Sequence, residues 1–79
     1  MDSIEQKVKD IIASVLEVGV DAIDDDTAIG DLPEWDSLHH IRIISSIENE
    51  FNFRFTPDVM MDLEDVSDIV SATEARVNK

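Results

Sequence analysis

The chain has 79 residues, 43% of them hydrophobic, with 19 acidic against 6 basic side chains and a net charge of −13. One domain of this size has a single modest core, burying roughly 60–65% of its unfolded surface; it is too apolar to be disordered and too small for an enzyme-sized pocket. The acidic field repels nucleic acid and anionic lipid, the lack of cysteine excludes disulfides and thiolate metal sites, and no apolar run reaches the roughly 18 residues of a membrane span.

Ile4, Val8, Ile11, Ile12, Val15 and Leu16 recur at helical spacing and predict a first helix over residues 3–17, stopped by Gly19. Residues 18–35 follow as a long connection with Asp21, Asp24, Asp25, Asp26, Asp31 and Glu34 and no basic residue. A loop this long in a compact domain points to function, and Ile29, Leu32 and Trp35 are expected to pin it to the core. Asp36 or Ser37 caps a second helix. Its inward stripe is read as Leu38, Ile41, Ile44, Ile47 and Phe51, with Ile43 beside it and an end near Asn52.

Phe53 and Phe55 alternate with polar neighbours, but a lone strand has nothing to pair with, so an ordered loop burying Phe55 is expected. Thr56-Pro57-Asp58 is a cap followed by proline at the first helical position, predicting a short third helix over 57–62. Asp65 with Asp68 resembles a capping box and opens a fourth helix through Val66, Ile69, Val70, Thr73 and Val77. The expected fold is all-α, one domain over residues 1–79: a four-helix bundle of three main helices and a short third, with a long loop between the first two.

Ser37, His39, His40 and the many aspartates invite comparison with a Ser-His-Asp triad. At i+2 His39 points away from Ser37, His40 at i+3 could approach it, and no oxyanion hole is evident. The histidines read as a polar, solvated helix surface, and the chain as no enzyme. Asp24-Asp25-Asp26 lacks the alternating ligand spacing and bidentate glutamate of a calcium loop, so no metal site is expected. Met1–Glu5 has no basic leader, so the expected compartment is the cytoplasm.

Asp36-Ser37-Leu38, at a helix start behind a long acidic loop, resembles the attachment motif of acyl carrier proteins. Ile41, Ile43, Ile44, Ile47, Glu48, Glu50 and Phe51 follow in the register of that family, and Phe55, Leu63 and Val66 stand where its later core residues stand. The resemblance covers essentially the whole chain. It implies that Ser37 receives 4′-phosphopantetheine from coenzyme A through a separate phosphopantetheinyl transferase, within a motif completed by Asp36 and Leu38. The arm then carries acyl or aminoacyl groups as thioesters.

The resemblance also implies docking through Leu38, Ile41 and Glu48 to acyl- or aminoacyl-loading and condensing enzymes with basic surfaces. Glu34-Trp35 before the motif, and His39, His40 and Arg42 after it, differ from the fatty-acid type and are more similar to free-standing carriers of specialised pathways. Polyketide, aminoacyl and cell-surface polymer assembly are examples. A monomeric stand-alone carrier is the expected product, with a peptidyl or D-alanyl carrier as the alternative within the class. From another class, the residues also fit an unmodified acidic helical adaptor that docks a basic partner.

Overall fold

The computed structural model describes residues 3–77. Among the described residues four helices form, α1 Ile4–Leu16, α2 Ser37–Phe51, α3 Pro57–Asp62 and α4 Val66–Val77, with a single 3₁₀ turn at Val20–Ala22. The described residues contain no strand, only one isolated bridge between Ala28 and Asp65. The fold is the all-α bundle expected from the sequence.

Each helix starts on a side-chain acceptor. Ser3 Oγ accepts from the Gln6 N–H, Thr56 Oγ1 from Val59, and Asp65 Oδ1 from Asp68. Gly19 is not the stop of α1, because its backbone is extended at φ −70°. Glu17 turns left-handed instead, at φ 58°. Its N–H then reaches the Ser14 carbonyl and that of Val18 the Ala13 carbonyl, satisfying two carbonyls that the helix end would leave bare. Asn52 ends α2 in the same way at φ 60°, a conformation asparagine tolerates better than most residues.

α1 packs against both α2 and α4. The core joins Val8, Ile12 and Leu16 of α1, Ile43, Ile44 and Ile47 of α2, and Val66 and Ile69 of α4 to Ile23, Trp35, Phe55 and Leu63 from the connections. Two residues assigned to the inward stripe of α2 lie outside it: Leu38 and Ile41 are each 59% exposed. The buried face runs through Ile43, Ile44 and Ile47, with Phe51 half-buried. At about 100° per residue these cluster around the direction of His40, while Leu38 points about 160° away. Thr73, the one buried polar side chain of α4, donates its hydroxyl to the Ile69 carbonyl.

The long connection is tied down by backbone bonds to the segment between α3 and α4 and to the first residues of α4. Ile29 N–H donates to the Glu64 carbonyl, Val66 N–H to Thr27 and Ser67 N–H to Asp25. Within it, Gly30 takes φ 92°, a left-handed value that suits glycine, and donates to the Trp35 carbonyl. This tight return brings Trp35, fully buried, to the threshold of α2.

Candidate functional site

Ser37 is the first residue of α2 and is exposed. Asp36 caps the helix: its Oδ1 accepts from the His39 N–H at 2.9 Å and also lies 2.9 Å from His39 Nδ1. The His39 backbone N–H and then the His39 ring hold the Asp36 carboxyl below the usual carboxylate range. The cap therefore stays anionic and turned onto the helix. Ser37 Oγ is left beside a helix start whose unpaired N–H groups favour an added phosphate.

The structure brings Asp36, Ser37 and Leu38 together at one helix end. Leu38 and Ile41 present apolar side chains to solvent next to Ser37. Glu48 lies two turns further on, at the other end of α2, and is half-buried. Its Oε2 accepts from the Phe55 N–H at 2.8 Å, fastening the approach to α3 onto α2. Outward apolar side chains also occur on α3, where Met61 is 81% exposed.

His40 departs from the solvated reading. It is half-buried, and its Nδ1 accepts the Trp35 indole N–H at 3.0 Å, with the two ring centroids 5.9 Å apart. Burial pushes its pKa below the ordinary 6.5, and the Leu63 backbone opposes that shift. The signal for this role was present in the spacing: His40, Ile43, Ile44, Ile47 and Phe51 form one i, i+3, i+4, i+7 series. No triad forms, since His39 pairs with Asp36 and His40 with Trp35.

The aspartate run does not act as one cluster. Asp25 is held by Lys9 at 2.9 Å, and Lys9 also reaches Glu5 at 3.0 Å. Hydrogen bonding to Lys9 lowers the Asp25 pKa, and the same bonds raise that of Lys9. Among the described residues no three His, Cys, Asp or Glu side chains gather as metal ligands, and no helix is long and apolar enough to cross a membrane.

The exposed hydroxyl, the anionic cap bonded to His39 and the helix N-terminus fit a serine-linked phosphodiester. No curated protein matches the chain closely enough to count as a relative. The family model described as a phosphopantetheine attachment site matches residues 6–73, spanning α1 to α4. By that match the chain belongs to the phosphopantetheine attachment site family, whose members carry a covalently bound 4′-phosphopantetheine, receive it from a phosphopantetheinyl transferase and work with biosynthetic enzymes.

Proposed function

We propose that the protein is an acyl or aminoacyl carrier whose attachment residue is Ser37. The observation that carries this reading is the exposed Ser37 at the start of α2, directly behind the capping Asp36. In the modification, Ser37 Oγ gives its proton to a base on the transferase and attacks the phosphorus next to the pantetheine of coenzyme A. A P–O bond forms to Ser37, the pyrophosphate P–O bond breaks, and adenosine 3′,5′-bisphosphate leaves. The arm supplies a terminal thiol that holds the cargo as a thioester.

The chain's own residues do the rest. Asp36 fixes the helix start, the N-terminus of α2 favours the phosphodiester, and Trp35 and His40 anchor this end of the helix to the core. Leu38 and Ile41 offer an apolar footing beside Ser37, and the acidic surface steers basic partners toward it. The protein performs no bond chemistry of its own, and its place is in a specialised biosynthetic pathway in the cytoplasm. Incubation with coenzyme A and a broad-specificity transferase tests the reading: a mass gain of one phosphopantetheine on the wild type, lost in Ser37→Ala, supports it.

A further inference from the structure

An alkyl chain tethered beside an apolar core is drawn into any recess within reach, since each buried methylene brings about a fourfold preference. What fills the protein beneath the tether therefore selects the cargo. Trp35 is the largest fully buried side chain and stands two residues before Ser37. Its indole N–H is bonded to Nδ1 of His40, one turn into α2, with the ring centroids 5.9 Å apart. The Leu63 backbone, at the end of α3, lies near enough to His40 to oppose the effect of burial on its pKa.

The indole and imidazole thus run from the long loop across the first turn of α2 to the end of α3. Both residues lie within three positions of Ser37, so this is the part of the core nearest the tether along the chain. Every buried side-chain nitrogen and oxygen among the described residues has a partner. A chain entering there would have to displace the indole and break its bond to His40. By contrast, a cleft further along α2, lined by Ser45, Glu48, Asn49, Asn52, Phe53 and Arg54, is open and mostly polar.

Resting on the carrier reading above, we propose that Trp35, locked by His40, closes the interior beneath Ser37. Cargo is therefore carried outside the fold, which suits short or polar acyl groups, aminoacyl groups among them, over long alkyl chains. Neither residue touches the reacting atoms. Trp35 acts as a specificity-determining plug and His40 as the residue that positions it.

The test loads the protein from acetyl- and octanoyl-coenzyme A with a broad-specificity transferase. Thioester cleavage by hydroxylamine is followed by intact mass, each rate taken relative to the same thioester of free pantetheine. The proposal expects relative rates within threefold of each other in the wild type and an unmoved Trp35 indole N–H resonance. In Trp35→Ala the octanoyl form becomes protected more than threefold relative to the acetyl form. Protection of more than threefold in the wild type, a displaced indole resonance, or equal rates in a folded Trp35→Ala would each overturn the plug. The wild-type comparison decides alone if the variant does not fold. A protein that gains no mass at all overturns the carrier reading instead.

Discussion

Glu48 and Phe55 are joined by a charge-assisted hydrogen bond, carboxylate Oε2 to backbone N–H at 2.8 Å, in a half-buried setting between α2 and α3. The side chain that family resemblance assigns to docking is thus also a brace. Removing the acceptor while the N–H stays in place costs about 1–3 kcal/mol. Glu48→Ala is expected to lower unfolding stability by that amount in urea titrations. Glu48→Gln, which keeps a carbonyl oxygen in reach, is expected to lose less.

Leu38 and Ile41 are expected to behave oppositely. Both are 59% exposed, so truncation to alanine leaves no core cavity. Each should change stability by less than about 1 kcal/mol, against about 2–5 kcal/mol for Ile44→Ala in the core. The rate of loading by the transferase should fall in Leu38→Ala and Ile41→Ala. Core-sized losses of stability would remove them from the docking surface.

His40 sets a pH dependence whose sign follows from its lowered pKa. The unfolded chain takes up the proton first as pH falls, so the contribution of neutral His40 is complete above 6.5 and is lost through the window just below it. Thermal midpoints should be level above pH 7 and fall as the solution is acidified through that window. His40→Gln should flatten this part of the profile. Asp36 and Asp25, lowered from 3.8, act in a separate and more acidic window.

The local chemistry of these elements was legible in the sequence. Thr56-Pro57, Asp65 with Asp68, and the Ile43, Ile44 and Ile47 stripe act through neighbours on their own segment. So does Asp36, whose cap bond to the His39 N–H starts the helix that bears Ser37. What was not legible depends on pairing across the chain. The bonds from Val66 N–H to the Thr27 carbonyl and from Ile29 N–H to the Glu64 carbonyl give the long loop its shape, and no local pattern encodes them. Glu17 replaced Gly19 as the helix stop because a left-handed residue at a helix end recovers two carbonyl partners, which offsets its steric cost. Leu38 and Ile41 are apolar but lie at angles away from the buried face of α2, whereas polar His40 lies on it, so hydrophobicity alone does not mark that face.

The net charge of −13 should act through association rate. Exposed charges are screened over about 8 Å at physiological ionic strength. Loading by the transferase under kcat/KM conditions should therefore slow several-fold between low and high salt, with little change in kcat. A kcat/KM independent of salt would reduce the acidic surface to an aid to solubility.

The central claim is that Ser37 bears the arm. Intact mass after incubation with coenzyme A and a broad-specificity transferase tests it most directly. The wild type should gain one phosphopantetheine, and Ser37→Ala should gain none while keeping its helical circular dichroism. A mass gain on the folded Ser37→Ala variant would contradict the assignment.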